Sequence, residues 1–392
     1  MRFNLWEDCN RVPLTELLSF VVDNRGKTVP TAPSGHKLIA TNCVTNNTLF
    51  PVYEKIRYLS EKTYQTWFRA HPIPGDILFV NKGTPGRVCL VPDPVDFCIA
   101  QDMIALRADE SKIYPKYLFA VLRSREIQQQ IYNTNVGDVI PHFKKQFLDQ
   151  LLIPIPERSI QESIGDLYYV LSLKAECNKK INDNLADLLQ TIYQERFGND
   201  ILAVNQGVLS DICSYSRDKV AVSELNVITY FSTENMLSGK AGSTEATSLP
   251  TTSQTTACHK GDTLISNIRP YFKKIVYCED KCGCSTDVLC FTPSQPCYSA
   301  YLFSTLYADK FFAFMVAGSK GTKMPRGDKQ QIMTYPVVLP SEEELAGFNT
   351  IASPLLEQIY SNRAENKRLS ILRDTLLPKL MSGEINVSAV QL

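Results

Sequence analysis

The feature that most constrains this chain is a long internal repeat. The segment PGDILFVN at residues 74–81 recurs as KGDTLISN at residues 260–267, and PKYLFAVL recurs later as SAYLFSTL. The spacing between equivalent residues settles at 184, so that Pro156 corresponds to Pro340. Self-similarity over this length predicts two copies of one structural unit in tandem.

A heptad pattern follows each copy. Apolar residues recur at alternating steps of three and four after Pro156, and the same pattern returns 184 residues later. This period predicts two long helices that pack as a coiled coil and that each span roughly 50–60 Å. The predicted seams are Ile160, Ile164, Leu167, Leu171, Lys174, Asn178, Ile181, Leu185, Leu188 and Ile192, and then Phe348, Ile351, Leu355, Gln358, Asn362, Glu365, Leu369, Leu372 and Leu376.

Two polar residues occupy equivalent positions in the seams. Asn178 and Asn362 are 184 residues apart, and a buried Asn pair there would set the register and orientation of the helices. The alternative is that both face solvent near a helix irregularity. Ser341 is a candidate N-cap of the second helix, and Pro354 is expected to kink that helix or to delay its start.

The segments before the helices contain short extended runs, Gly and Pro turns and one short helix, which predict an α/β (α+β) fold built mainly on a strongly bent sheet. We expect two globular domains, each followed by a long helix, with the helices packed as an antiparallel coiled coil and the halves related by a pseudo-two-fold axis. The predicted boundaries are 1–157, 158–198, 199–340, 341–382 and a tail at 383–392.

The composition limits the classes of function that this chain can have. Hydrophobic residues make up 44% and charged residues 21% of the chain, as in ordinary globular proteins. The 41 basic and 41 acidic residues cancel, so any binding of nucleic acid must come from local basic surfaces. No secretory signal pattern and no apolar run of membrane-spanning length is evident, so we expect a cytoplasmic protein that does not enter a membrane.

The cysteines and the catalytic motifs favour a protein without its own reaction centre. Among the twelve cysteines the densest run, from Cys278 to Cys290, lacks the paired C-x2-C spacing of zinc sites, so we expect reduced, packed thiols and no metal. No phosphate-binding loop, dinucleotide fingerprint or amino-methyltransferase motif is found. A nuclease-like match from Asp93 to Lys112 is absent from the second copy, so no catalytic residue is predicted.

Several segments resemble a known family. The tandem repeat, PGDILF, KGDTLISNIRPYFKK, LLIPIPERSIQESIGD and the ending LRDTLLPKLMSGEI at 372–385 are similar to the specificity subunit of type I restriction–modification systems. The resemblance implies two target recognition domains, each reading one half of a bipartite, asymmetric sequence in double-stranded DNA, with helices that set the gap. It also implies docking of two methyltransferase (modification) subunits, which carry S-adenosylmethionine, and of restriction/translocase subunits, which use ATP with Mg. This chain itself would hold no cofactor.

Basic and amide side chains lie in corresponding turns of the two copies, where they suit contacts to phosphates and base edges. The first turn of each copy joins two apolar strands, and the second basic loop begins near Gly137 in the first copy and Gly318 in the second. The candidate DNA-binding residues are Asn81, Lys82, Thr84, Arg87, Lys144, Lys145, Asn267, Arg269, Tyr271, Lys273, Lys274, Lys320, Lys323 and Arg326. For Tyr271 and its neighbour Phe272, packing beneath the sheet is favoured over stacking on DNA.

Two other readings stay open. The chain is alternatively a non-catalytic bridging protein whose helices assemble protein partners, or the reader of a fused restriction–methylation enzyme. A contiguous basic face formed by the candidate loops favours DNA binding, and mixed charge favours a bridge. The fused-enzyme hypothesis differs from the type I hypothesis only in the partner protein.

Overall fold

The computed structural model describes residues 4–24, 27–99, 101–134, 141–198 and 205–385. The chain forms two compact units, which we call unit 1 (Met1–Asn178 with Ala364–Leu392) and unit 2 (Lys179–Arg363). Each unit includes a segment of both long helices. The helices are therefore built into the cores of the units and do not form separate domains.

Unit 1 combines short strands with helices. Its strands are β1 Asn10–Pro13, β2 Leu18–Val22, β3 His36–Ile39, β4 Arg57–Leu59, β5 Ile77–Val80, β6 Val88–Leu90, β7 Phe97–Ile99, β8 Met103–Ala108 and β9 Leu152–Ile155. Its helices are α1 Leu5–Asp8, α2 Glu61–Thr66, α3 Pro115–Leu122, α4 Arg125–Thr134 and the first part of α5 Arg158–Phe197. The strands form sheets in the orders β2-β8-β5-β6 and β4-β3-β7, and β1 pairs with β9.

Unit 2 repeats this plan. Its strands are β10 Gln206–Val208, β11 Cys213–Tyr215, β12 Lys219–Ala221, β13 Tyr230–Phe231, β14 Gln254–Cys258, β15 Thr263–Ser266, β16 Ile275–Tyr277, β17 Cys282–Cys284, β18 Val288–Pro293 and β19 Pro336–Val338. Its helices are α6 Leu209–Ile212, α7 Ser299–Tyr307, α8 Asp309–Ala317, α9 Lys329–Met333 and the first part of α10 Glu342–Met381. The sheets have the orders β11-β18-β15-β16 and β12-β14-β17-β13, and β10 pairs with β19.

The repeat predicted from the sequence is visible in the topology. In both units an antiparallel sheet of matching order lies next to a sheet that contains one parallel strand pair, β3 with β7 and β13 with β17. The expected single, strongly bent sheet is wrong. The chain instead moves from one sheet to the other within Ser285–Asp287, which separates β17 from β18, so that each sheet stays short.

The strand that follows the Gly-Asp motif is buried on both faces, which explains its unbroken run of apolar residues. In β5, Ile77 and Phe79 pack in the core beneath α3, whereas Leu78 and Val80 pack towards the second sheet. The preceding Gly75 has a φ of +85°, which a glycine adopts without strain. This Gly-Asp motif therefore makes the turn into a core strand, and its role is structural.

The long helices begin and end as short-range signals indicate. Ser341 caps α10, since its Oγ accepts from the backbone N of Glu344 at 3.3 Å and the Glu344 carboxylate accepts from the backbone N of Ser341 at 2.8 Å. Gly383 follows the helix with a φ of +68°. Pro354 lies inside α10, so the expectation that it delays the start of the helix is wrong.

Within each unit, α5 and α10 pack against each other in opposite directions. In unit 1, Ile164 and Leu167 share a core with Leu377 and Leu380. In unit 2, Phe197 and Phe348 pack with their ring centroids 5.4 Å apart. The expected antiparallel packing of the helices is confirmed.

The buried stripe departs from the predicted heptad seam in the second part of α5. Ile181 and Leu188 are 45% and 47% exposed, whereas Asn182, Leu189 and Tyr193 are buried. The stripe advances by four residues more often than a strict heptad allows. A helix of 3.6 residues per turn drifts away from a 3.5-residue seam, so the sequence pattern lost the register after Asn178. Predicted seam residues Ile351, Gln358 and Leu372 of α10 are likewise exposed.

Candidate nucleic-acid interface

In unit 1 the turn after β5 is tied to the second basic loop through Asn81. The backbone N of Asn81 donates to the carbonyl of Asp102 at 3.1 Å, and its carbonyl accepts from the backbone N of Phe143 at 2.9 Å. An isolated bridge also joins Lys82 to His142. The turn and the loop therefore form one surface. The earlier part of that loop, including Gly137 and Asp138, lies outside the described residues.

Unit 2 builds the same junction. The backbone N of Asn267 donates to the carbonyl of Asp287 at 2.8 Å, and its carbonyl accepts from Gly327 at 3.2 Å. A bridge joins Ile268 to Arg326, in correspondence with the bridge of unit 1. The side chain of Asn267 is 6% exposed and that of its counterpart, Asn81, 4%. Both are candidate DNA-binding residues; in this structure they are buried, and their backbone groups join the turn to the loop.

The turn itself needs two left-handed residues in each unit. Unit 1 uses Gly83 and Gly86, with φ of +85° and +87°. Unit 2 uses Arg269 and Lys273, with φ of +51° and +50°. For a residue with a Cβ this backbone conformation costs roughly 1–2 kcal/mol. Unit 2 therefore carries backbone strain at the very positions that display cationic side chains.

The cations of unit 1 are mostly available to a ligand. Lys82, Arg87 and Lys144 are exposed and have no ion-pair partner among the described residues. Lys145 differs, because its ammonium bonds to the carboxylate of Asp23 and burial lowers its pKa. The half-buried Thr84 lies in the same turn. Within the described residues, three unpaired cations therefore surround the junction in unit 1.

The cations of unit 2 are largely paired with carboxylates. Lys320 bonds to Asp328 at 2.5 Å, and Arg326 bonds to Asp287 at 3.2 Å. Lys323 is exposed and has no ion-pair partner within the described ranges. This surface is one of mixed charge.

The turn of unit 2 contains a further shared carboxylate. Lys273 and Lys240 approach Asp309 at 3.0 and 2.7 Å, and together they hold the pKa of that carboxyl below its usual range. Lys274 donates to the carbonyl of Thr233 at 2.5 Å, and burial lowers its pKa. The sequence reasoning missed Asp309 and Lys240, which lie far from the turn in the chain and form no motif with it.

Tyr271 and Phe272 lie at the tip of this turn. Their side chains are 50% and 39% exposed, and their ring centroids are 4.7 Å apart. The expectation that they pack beneath the sheet is therefore wrong. The backbone forms a 3-10 turn at Pro270–Phe272, which buries Pro270 and turns the two rings outwards.

A polar cleft of about 350 Å³ adjoins the junction in unit 2. Ser232, Glu234, Thr247, Ser285 and Asp287 contribute to its lining, and Asp287 also bonds to Arg326. Hydroxyl and carboxylate groups of this kind suit hydrogen bonds to the amino groups and ring nitrogens on base edges.

The cysteines are all free thiols, and Cys258, Cys278, Cys282, Cys284 and Cys290 share one small apolar core in unit 2. The Sγ atoms of Cys278 and Cys282 are 3.6 Å apart. Within the part of the chain that the structure describes, no group of three or more His, Cys, Asp or Glu side chains has a geometry that suits a metal ion. None of the described helices is long and apolar enough to span a membrane.

Comparison with known proteins shows a similarity over part of the chain. The model of the type I restriction modification DNA specificity domain matches residues 26–187. Over this part the chain is similar to specificity subunits of type I restriction–modification systems. The surfaces described above are therefore those of a protein similar to type I specificity subunits.

Relatives of this type I family are distant. The chain is 34% identical over 73 residues to the MjaIX specificity subunit of Methanocaldococcus jannaschii, a match that covers 19% of this chain and 17% of that protein. It is 24% identical over 153 residues to the HindI specificity subunit of Haemophilus influenzae, which covers 38% of this chain and 33% of that protein. The matches span well under two thirds of the length of each relative.

A solved structure matches over nearly the full length. The crystal structure of the S subunit of a type I restriction–modification system from M. genitalium has a TM-score of 0.57 and 17% sequence identity, with 97% of this chain and 98% of that chain covered. At this identity the likeness establishes the fold. The chain thus shares the fold of that protein.

Proposed function

We propose that this chain is the sequence-specific DNA-binding subunit of a type I restriction–modification complex. Each unit reads one half of a bipartite target in double-stranded DNA. The observation that carries the proposal is the matched junction in the two units, in which a buried asparagine, Asn81 or Asn267, fastens a strand turn to a second loop. Exposed cations surround both junctions, and phosphate contacts of this kind hold a DNA reader in register.

Base edges are read by the polar groups beside these cations. In unit 2 the cleft lined by Glu234 and Asp287 offers acceptors for amino groups, and Arg326 is a forked donor that suits guanine once it exchanges Asp287 for a base. The different cations and turns of the two units agree with two different half-sites. The expected target is therefore asymmetric.

The long helices dock two methyltransferase subunits and set the gap between the half-sites. Apolar side chains on both helices are exposed in each unit, and such side chains suit a protein interface. They are Val170, Ile371 and Leu372 in unit 1, and Ile181, Leu188 and Ile351 in unit 2. In this proposal the catalytic steps belong to partners: methylation of adenine with S-adenosylmethionine, and ATP- and Mg-dependent translocation and cleavage in restriction subunits.

One observation favours a second candidate, the bridging protein. The ion pairs of Lys320 with Asp328 and of Arg326 with Asp287 give unit 2 a surface of mixed charge. A surface of this kind also suits a protein partner. The family and the free cations of unit 1 support the DNA-binding proposal over it.

Selection from a random duplex library separates the two candidates. The chain is purified with its modification subunit, and bound duplexes are sequenced over several rounds. The DNA-binding proposal predicts two short enriched segments separated by unspecified bases of fixed number. A stable complex that enriches no sequence would reject the proposal in favour of a bridge.

A further inference from the structure

We propose that Tyr271 and Phe272 form a wedge that enters the base stack of duplex DNA and unstacks one base step in the half-site of unit 2. This inference rests on the proposed DNA-binding function and names the means by which unit 2 deforms its target. Apolar side chains inserted between base steps are an established way for proteins to kink DNA.

The first support is the exposure of two adjacent aromatic rings. Tyr271 is 50% and Phe272 39% exposed, so two apolar rings are in contact with water. Their centroids lie 4.7 Å apart with an interplanar angle of 55°, so the rings protrude as one body. Burial of this surface on a partner is favourable, because apolar area leaves water.

The second support is the rigid mounting of the turn. The carbonyl of Phe272 accepts from the backbone N of Gly239 at 2.8 Å, and the backbone N of Arg269 donates to Pro325 at 2.7 Å. The backbone N of Lys240 donates to the carbonyl of Lys273 at 2.9 Å. A wedge must keep its position while bases separate, and this network fixes the backbone on both sides of the rings.

The third support is the charge around the rings and identifies nucleic acid as the occupant. Arg269, Lys273 and Lys274 flank the two rings in sequence. Arg269 reaches the carbonyl of Lys323 at 3.5 Å, and Lys273 would exchange its partner Asp309 for a phosphate when DNA binds. Cationic side chains on both sides of an apolar tip match a base step between two phosphate strands. A protein partner would have to supply a matching acidic rim and is an outcome of the test.

The corresponding turn of unit 1, residues 81–87, which the structure describes in full, has no equivalent wedge. Between its left-handed residues Gly83 and Gly86 stand Thr84 and Pro85, both of which are partly buried. The deformation should therefore occur in one half-site only.

Permanganate footprinting on the selected duplex tests the wedge, because permanganate oxidises thymines that are not stacked. The complex of the full chain with its modification subunit is compared with the Tyr271→Ala/Phe272→Ala variant. In the half-site of unit 2 we expect a reactive thymine that the variant loses, together with a roughly tenfold loss of affinity. Thymines opposite adenines that the modification subunits flip out should react equally in both proteins. Reactivity that persists in the variant belongs to another group of the complex.

A duplex that already lacks stacking at this step separates a wedge from an ordinary contact. With an abasic site at the reactive position, the variant should recover most of its lost affinity, because no unstacking is then required. Phe20→Ala, which removes a 46% exposed aromatic ring in unit 1, serves as the matched control and should change neither readout.

Three outcomes contradict the wedge. They are wild-type complex bound to its site without unstacked thymines, variant complex with unchanged reactivity, and an equal loss of affinity on intact and abasic duplexes. Tyr271→Phe should retain full reactivity, and its failure would also contradict the proposal. If the wild-type complex binds no sequence at all, the proposed function itself fails.

Discussion

Asn182 and Asn362 face each other in the helix pair of unit 2, where the Nδ2 of Asn362 donates to the Oδ1 of Asn182 at 2.9 Å. In unit 1 the Nδ2 of Asn178 donates to the Oδ1 of Asn366, also at 2.9 Å. The second pair follows from the first through the repeat spacing of 184 residues. Asn178 and Asn362 are therefore buried as equivalents, but each pairs with an asparagine one helical turn away from the expected partner.

Replacing one asparagine of a pair should lower the free energy of unfolding more than replacing both. Asn362→Leu leaves the Oδ1 of Asn182 buried without its donor, so the free energy of unfolding should fall by about 1–3 kcal/mol. Asn182→Leu/Asn362→Leu should lose clearly less, because two apolar side chains replace the polar pair. Urea unfolding of the wild type, both single variants and the double variant measures the difference. Additive losses in the double variant would show that the pair contributes no coupling.

Gly165 in α5 should resist substitution. A Cβ at this position would lie 2.6 Å from the backbone N of Tyr117, so Gly165→Ala forces α5 and α3 apart. We expect a loss of about 1–3 kcal/mol in the free energy of unfolding. Gly347→Ala in α10 is the matched control, because its Cβ meets only the end of Arg196 at 3.4 Å. The control should gain up to about 1 kcal/mol from helix propensity, and equal losses in the two variants would contradict this packing.

The free cations of unit 1 should determine part of the salt dependence of DNA binding. Lys82→Ala/Arg87→Ala/Lys144→Ala removes three exposed charges, and each lost phosphate contact lowers the slope of log K against log salt by about 0.9. Titration of the complex at several salt concentrations measures this slope. Lys62→Ala, an exposed lysine of α2, should leave it unchanged. A triple variant with the wild-type slope would remove these residues from the DNA surface.

Asp262 should make the stability of unit 2 depend on pH. Its carboxyl is 1% exposed, and burial raises its pKa above the ordinary value of 3.8. A raised pKa favours the protonated form in the folded state, so this contribution to stability is full below pH 3.8 and disappears as pH rises through the folded pKa. Relative to Asp262→Asn, the wild type should therefore lose stability as pH rises above 3.8.

Urea unfolding of both proteins across this pH range tests the prediction. The imidazole Nδ1 of His259 lies 3.8 Å from the Asp262 carboxylate, so both proteins also carry His259→Asn. The remaining titrating groups are common to the two proteins and cancel in the difference. A difference that does not change with pH would contradict a raised pKa at Asp262.

The sequence predicted those features that depend on local or repeated signals. The repeat, the two long helices and the cap at Ser341 all follow from residue types at fixed spacing. The predicted seam is wrong after Asn178, because a drift of one residue changes which side chains are buried. Ile181 and Leu188, for example, are exposed. Only the packed helices determine that drift.

The candidate site was predictable as loops but not as side chains. The matched turns identified the junctions, yet Asn81 and Asn267 are buried, and carboxylates distant in the chain, such as Asp309, pair with the cations. The exposure of Tyr271 depends on a left-handed turn that no sequence rule assigns to Arg269 and Lys273. These are tertiary properties of the folded loops.

The most direct test of the account is the methylome of cells that express this chain with its modification subunit. The account predicts methyladenine in both halves of one bipartite motif, and a change of only one half when the turn of unit 2 is altered by Arg269→Ala/Lys323→Ala/Arg326→Ala. A stable complex that leaves the genome without a methylated split motif, or a variant that alters both halves together, would contradict it.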